Sequence, residues 1–398
     1  MATARKTTAA PTLTDPVSPD LKRFLRALAD EREADPTGQA GKEMAREADP
    51  AGHRGYLHVR LNLLCPGQPL CRASSFTWTG QWCVGTTVTE AVSRSCREAS
   101  IATYREGVTA ASAGTWTLGD LTVNRMGFGA MRLTANPDGT PSDRDRAITV
   151  LRRAVELGVN HIDTAAFYFS ALRSANELIN RTLSPYPDDL VIVTKVGPGR
   201  DPSGTWLPLA RPDQLRGQVE ENLRQLGRDH LDVVNLRQHG LDSIAEHFGA
   251  LAELRAAGLI RHLGISNVRA PHLAQAQQLA PVVCVQNPYG LDHRRETDDF
   301  LRLCGEQGVA FVPFFAIAGA RREAGGVAGG DTDAVLTVAR RHGATPAQVR
   351  LAWTLHRGPH VLAIPGTGDP DHLVDNVAAG ALRLSAADLA LLDPVHPT

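Results

Sequence analysis

A chain of 398 residues with 42% hydrophobic and 21% charged side chains has the make-up of a soluble globular protein, long enough for one large or two ordinary domains. Its formal net charge of −1 argues against nucleic acid or an anionic membrane surface as the main partner, since both need a concentrated positive field. No apolar run approaches the roughly 18–20 residues of a membrane span, and no hydrophobic stretch follows the basic residues of "MATARKTTAAPTLTDP" as a secretory signal requires, so a cytoplasmic protein is expected.

Residues 1–112 lack the apolar periodicity that builds a core. "LKRFLRALADERE" (21–33) reads as one short helix and "GYLHVRLNLL" (55–64) as one short strand, neither with an obvious partner. The segment is expected to be an extension of low order, with a small accessory domain as the alternative. A third reading is a mis-assigned start, because Val108 can mark an alternative initiation codon. The six cysteines (Cys65, Cys71, Cys83, Cys96, Cys284 and Cys304) form no CxxC pair and read as reduced thiols, with no metal site expected.

From Thr115 the pattern becomes regular. "TWTLGDLTVNRMG" alternates about a central Gly-Asp and predicts a hairpin, suited to plug the lower mouth of a barrel. Eight apolar runs follow: "RMGFGAM", "NHIDTA", "LVIVTKVG", "LDVVNLR", "IRHLGIS", "VVCVQN", "VAFVPFF" and "VLAIPG". Between them lie helical stretches such as "DRDRAITVLRRAVELG" and "RPDQLRGQVEENLRQLG", many ending in Gly, a common helix stop. Near-continuous Val, Ile, Leu and Phe mark strands buried on both faces. Eight strands alternating with helices over residues 113–398 predict an α/β protein of the (β/α)8 TIM-barrel class. An open doubly wound sheet is the alternative, but "GFGAMRL" lacks its GxGxxG turn.

In a barrel, reactive groups gather at the C-terminal ends of the strands. Asp163 closes the second run, Lys195 the third, Arg237 the fourth, Ser266 and Asn267 the fifth, and Gln286 the sixth. Asp163 and Lys195, both desolvated, read as an ion pair that neutralises itself. Tyr168, five residues beyond Asp163, changes the weighing. A phenol is a poor acid near neutrality, and an adjacent ammonium is expected to bring its pKa down. The cluster then suits protonating a carbonyl oxygen while hydride reaches its carbon. Ser266, Asn267 and Gln286 suit hydrogen bonding to a carboxamide. "IPGTGDPDHLVDN" suits phosphate, through the Thr367 hydroxyl and main-chain N–H groups at a helix start that Asp369 or Asp371 would cap. Each of these polar groups has a plain structural alternative as a satisfied barrel-rim residue.

Taken in order, "GFGAMRL", "GVNHIDTAAFY", "VIVTKVG", "LDVVNLR", "IRHLGISN", "VCVQNPY", "FVPFF" and "IPGTGDPDHLVDN" resemble the aldo-keto reductases, and the wording is most like their bacterial pyridoxal reductase-type members. The resemblance implies a TIM barrel that binds NADP(H), with NAD(H) as the alternative, and reduces an aldehyde or ketone. Asp163, Tyr168 and Lys195 match three catalytic positions, with Tyr168 as proton donor. Arg237 occupies the fourth, usually histidine. A guanidinium cannot act as acid or base, but it can stabilise developing charge or grip an anionic group. His239, two residues on, would lie roughly 6–7 Å further out if the strand continued. The resemblance further implies that Ser266, Asn267 and Gln286 hold the nicotinamide amide and that Phe314 stacks beneath its ring. Thr367, His372, Asp375 and Asn376 fall on the segment that holds the adenosine end. Departures are Phe169 for a common Gly, Gly290 for Asn, "FFAIAG" in the loop near the pyrophosphate, and Gly366 and His372 where basic residues often stand. The partner expected is a small carbonyl compound, the oligomeric state being open. A nucleotide-binding barrel with little turnover, acting as a regulatory or partner-binding module, is the competing class.

Overall fold

In the computed structural model, the described residues are three strands at 42–48, 55–61 and 74–79, and the segments 107–136, 140–291, 297–317 and 331–393. The chain divides into two compact units, Met1–Ser100 and Ile101–Thr398. In the first, β1 (Lys42–Ala48), β2 (Gly55–Leu61) and β3 (Ser74–Thr79) form an antiparallel sheet in that order. The strand expected near Gly55 is therefore present and paired on both edges. The helix expected at 21–33 and the four cysteines from Cys65 to Cys96 lie outside the described residues.

The second unit carries the eight expected runs in their expected order. After the hairpin β4 (Thr115–Leu118) and β5 (Leu121–Asn124) come β6 (Phe128–Gly129) and β7 (His161–Asp163). Two short strands, β8 (Phe169–Ser170) and β9 (Arg173–Ser174), form a small hairpin beyond β7. The ring continues through β10 (Val191–Val196), β11 (Leu231–Arg237), β12 (Ile260–Ser266), β13 (Val282–Gln286) and β14 (Ala310–Phe311), all parallel neighbours. The eighth run closes the ring through isolated parallel bridges, Met126 to Ala363 on one side and Phe311 to Val361 on the other. Main-chain bonds from Gly127 N to Ala363 O (2.8 Å) and Leu362 N to Phe311 O (2.9 Å) seal both seams. Sequence reading suggested eight strands; the last makes only enough pairing to shut the barrel. Gly129 and Gly366 permit the close approach there, since a Cβ on either would fall 2.7 Å from a main-chain oxygen of the opposing strand end.

Strand alternation sorts the side chains. On β10, Ile192 and Val196 join the shell packed by helices, whereas Val191 and Val193 join the barrel interior with Val233, Cys284, Ala310 and Leu362. Lys195, next in that inward series, must therefore enter the barrel. The β4–β5 hairpin supplies Leu118 and Val123 to the same interior cluster and so closes the lower mouth as expected. Its turn residue Gly119 has φ +67°, and a Cβ there would strike the His262 ring. Asp120 beside it pairs with Arg261 at 2.6 Å and with His262 at 2.5 Å, anchoring the plug to the foot of β12. Among the described residues no helix is long and apolar enough to cross a membrane.

His161, at the foot of β7, is fully enclosed and its Nδ1 has no partner among the described residues. Burial, opposed by Asp163 and reinforced by Lys195, pushes its imidazole down to about 4. Unfolded histidine titrates near 6.5, so between these values only the unfolded chain takes up the proton, and stability falls as pH falls. Between about pH 7 and about pH 5 this one group is expected to cost on the order of 2 kcal/mol. Urea midpoints across that interval should fall less steeply in His161→Asn; equal slopes would remove the assignment.

Candidate active site

Asp163 and Lys195 meet inside the upper mouth. Lys195 Nζ donates to Asp163 Oδ1 at 2.6 Å and to the Thr164 carbonyl at 3.0 Å. Gln286 Nε2 donates to the second carboxylate oxygen at 2.8 Å. Lys195 and Asp163 are 2% and 3% exposed, so each charge depends on the other for the solvation it has lost. Nζ also lies 4.8 Å from the centroid of the Tyr168 ring, which Phe167 holds in an edge contact at 5.2 Å. The three expected residues are thus one cluster.

The electrostatics differ from the sequence expectation in one respect. Burial raises the Tyr168 phenol above its ordinary value, and Lys195, by charge and hydrogen bond, offsets only part of that rise. The net direction is upward, because desolvation of the phenolate outweighs a single ammonium whose charge is already shared with Asp163. For Lys195 the balance runs the other way. Burial works to lower its pKa, but Asp163 and then Tyr168 outweigh it, and the ammonium is held protonated.

A polar layer that sequence reading missed backs this cluster. Thr164 Oγ1 donates to Asn176 at 2.7 Å, Asn176 donates to Asn222 at 2.9 Å, and Thr194 donates to the same Asn222 oxygen at 2.6 Å. It ties the residues flanking Asp163 and Lys195 to two helices, Ala175–Leu183 and Leu215–Leu226. The available signal was a threonine inside the apolar run "VIVTKVG".

β11 ends at Arg237. Its guanidinium lies over the Phe314 ring, 5.0 Å from the centroid, at the register level of Ser266 and Gln286. His239 is past the strand end and exposed, so alternation does not carry it inward. The buried residue of that turn is the one between them. Gln238 exchanges side-chain hydrogen bonds with Asn267, donating to its carbonyl while Asn267 Nδ2 donates to the Gln238 carbonyl at 3.0 Å. This clamp holds Asn267 in its left-handed conformation, φ +60°.

The set expected to bind a carboxamide includes two polar atoms left without a partner. Ser266 Oγ and Gln286 Oε1 are enclosed yet have no partner among the described residues. A buried polar atom left alone is costly, and an amide between these two atoms would satisfy both. The residues fit a nicotinamide carboxamide. Asn267 contributes less freely than expected, its Nδ2 being committed to Gln238. Phe314 stands beside the site with a guanidinium over its ring, a neighbour that sequence reading did not foresee.

On the segment expected to hold the adenosine end, Asp369 is the cap of the helix Pro370–Ala378, accepting from Asp371 N at 2.8 Å and His372 N at 3.3 Å. It also pairs with Arg146 of the helix Arg144–Glu156. The main-chain N–H groups expected to meet phosphate are therefore already engaged by this carboxylate. Thr367 Oγ1 accepts from Asp369 N at 3.0 Å within the same turn. His372 is exposed, Asp375 half-buried and Asn376 buried. Arg146 brings a positive charge to this segment, where Asp369 balances it. Part of the "FFAIAG" loop, from residue 318, lies outside the described residues.

A (β/α)8 barrel with a buried carboxylate–ammonium–phenol cluster at its upper mouth defines a class of oxidoreductase, and comparison with known proteins specifies it. Residues 125–396 match the Aldo/keto reductase family. The chain is 45% identical over 293 residues to pyridoxine 4-dehydrogenase of Escherichia coli, covering 71% of this chain and 99% of that protein. It is 30% identical to a methylglyoxal reductase of the same organism, covering 70% and 93%. Among solved structures, an aldo-keto reductase of Klebsiella pneumoniae in complex with NADPH is similar with TM-score 0.56 and 27% identity over 68% of this chain and 90% of that one. The chain belongs to the aldo/keto reductase family. It is an NAD(P)H-dependent oxidoreductase that acts on a carbonyl compound.

Proposed function

We propose that this enzyme reduces pyridoxal, or a biosynthetic aldehyde or ketone of similar shape, to the alcohol with NADPH, and that Tyr168 delivers the proton. The observation that carries the reading is the Asp163–Lys195–Tyr168 cluster set beside the unpartnered Ser266 Oγ and Gln286 Oε1. NADP(H), when bound, supplies the hydride. Ser266 and Gln286 would orient its amide. Tyr168 would hold the substrate oxygen by a hydrogen bond and release its proton to it. Lys195 would lower the cost of the phenolate left behind, and Asp163, held by Gln286, would keep Lys195 charged and in place. The pyridoxine 4-dehydrogenase relative supports the choice of substrate, because this chain spans nearly its whole length. Residues 1–112 are assigned to an extension and 113–398 to the catalytic barrel, every site residue lying in the latter.

The test is a panel of aldehydes including pyridoxal, run with NADPH and with NADH, following loss of reduced-nicotinamide absorbance. Turnover of pyridoxal is expected. Pure protein that binds cofactor but turns over no aldehyde would favour the nucleotide-binding module instead, the reading that arginine in place of histidine at 237 favours. A second expectation concerns Arg237 and His239, of which the sequence favoured Arg237. Arg237→Ala should lower kcat/KM by about 10²-fold, as loss of one fixed donor to a developing oxyanion does. His239→Ala should leave it unchanged, and the reverse ranking would overturn the role given to Arg237.

A further inference from the structure

Three of the large apolar side chains most exposed on the described surface belong to the two loops beside Tyr168: Leu172 at 68%, Trp206 at 61% and Leu207 at 50%. Trp206 is not loosely held. Residues 200–206 form a tight turn in which Arg200 and Trp206 bridge antiparallel, Asp201 N donates to Thr205 O at 2.9 Å, and Gly204 takes φ +89°. One carboxylate oxygen of Asp201 accepts from Ser203 N at 2.9 Å, Ser203 Oγ at 2.6 Å and Thr205 N at 3.0 Å. Arg200 buttresses the turn. Its guanidinium lies 5.5 Å from the Trp206 centroid and 5.2 Å from that of Phe169, donating to Gly204 O at 2.7 Å and Phe169 O at 3.3 Å. Phe167 then touches Trp206 edge-on at 5.6 Å and Tyr168 at 5.2 Å, so the indole stands two ring contacts from the phenol.

An apolar ring of this size covers roughly 150–250 Å² when buried. A chain that fixes one in place while leaving it mostly in water has built a surface for something to cover. Position decides what covers it. The indole lies one ring, that of Phe167, from the cluster where a carbonyl would react, with the Arg200 guanidinium and the Phe167 edge against it. We propose that Trp206, braced by Arg200, is the platform on which the substrate's ring stacks, and that it makes the enzyme selective for planar aromatic or heteroaromatic carbonyl compounds over aliphatic ones. This rests on the reading of Tyr168 as the proton donor and deepens it by naming the substrate class.

The platform binds ground and transition states alike, so its loss is expected in KM rather than kcat. Full-length Trp206→Ala and Trp206→Phe, with NADPH, would be compared on pyridoxal, pyridine-4-carbaldehyde and butanal. For Trp206→Ala the KM of both ring aldehydes should rise roughly tenfold with kcat little changed, as loss of one ring–ring contact predicts. Butanal kinetics should stay as in the wild type, and Trp206→Phe should recover most of the loss. Equal effects on all three aldehydes, or none on the ring aldehydes, would overturn the platform while leaving carbonyl reduction standing. Wild-type enzyme that reduces butanal but neither ring aldehyde would overturn the platform and the pyridoxal reading together. Equal effects accompanied by a smaller hydrodynamic size in Trp206→Ala would assign the patch to contact between copies of the chain and reject the platform.

Discussion

Replacing Tyr168 with phenylalanine is expected to lower kcat by about 10²- to 10⁴-fold, the range that a positioned acid contributes, while leaving NADPH affinity intact. The edge contact from Phe167 at 5.2 Å and the ammonium of Lys195 above the ring both persist without the hydroxyl, so the mouth keeps its shape and loses only the proton. The upward direction of the phenol's pKa, caused first by burial, is consistent with this role. A reductase needs its acid protonated at the outset, and a raised value keeps it so throughout the physiological range. In the proposed mechanism Lys195 would act when the proton leaves, by stabilising the phenolate. With the folded pKa above 10, the rate of reduction limited by this group should stay level through neutrality and fall only in alkali well beyond it. Steady-state kinetics with a fluorescence titration of NADPH provide the check. Undiminished turnover in Tyr168→Phe would remove the proton donor from the account.

How far the amino-acid order specified this site can be seen at individual positions. Lys195 was readable because it closes the apolar run "VIVTKVG", at the strand end where a barrel gathers its reactive groups; the inward facing of Val191 and Val193 shows why it enters the mouth. Asp163 followed by the same rule, and the parallel order of β7 and β10 made them neighbours. The hairpin plug was readable from its turn residues. Partnerships across long stretches of chain were not. Arg146 and Asp369 are separated by 223 positions, and neither carries a local pattern naming the other. Gln238 was passed over because a polar residue between Arg237 and His239 looks like ordinary loop; only the left-handed backbone of Asn267 gives it a task. Trp206 was hidden for the opposite reason. A tryptophan is read as core, and nothing in "DPSGTWLP" says that the turn presents it outward. The phenol's shift was misjudged in sign because the degree of enclosure, which outweighed the ammonium, is a property of the packed mouth.

Removing the ammonium in Lys195→Met is expected to cost about 3–5 kcal/mol of stability as well as nearly all activity, because a buried carboxylate is then left without its counter-charge. Asp163 would keep one hydrogen bond, from Gln286, and no compensating charge at a depth where only 3% of the residue meets solvent. Loss of a partly exposed pair such as Arg146–Asp369 should cost far less, since water can take the partner's place. The sign of the pH dependence follows from the raised pKa of Lys195. Its contribution to stability is complete below the ordinary lysine value, near 10.4, and is lost as pH rises through the higher folded value, so at neutrality the full cost should appear. Urea unfolding of Lys195→Met and of the double variant Asp163→Asn/Lys195→Met separates charge from packing. The double variant should regain part of the lost midpoint, since no lone buried charge remains, and should stay inactive, since the phenolate of Tyr168 would have no cation beside it. Equal midpoints for the wild type and Lys195→Met would mean that Asp163 does not depend on this ammonium, and the cluster could not then hold Lys195 in the state its assigned role requires.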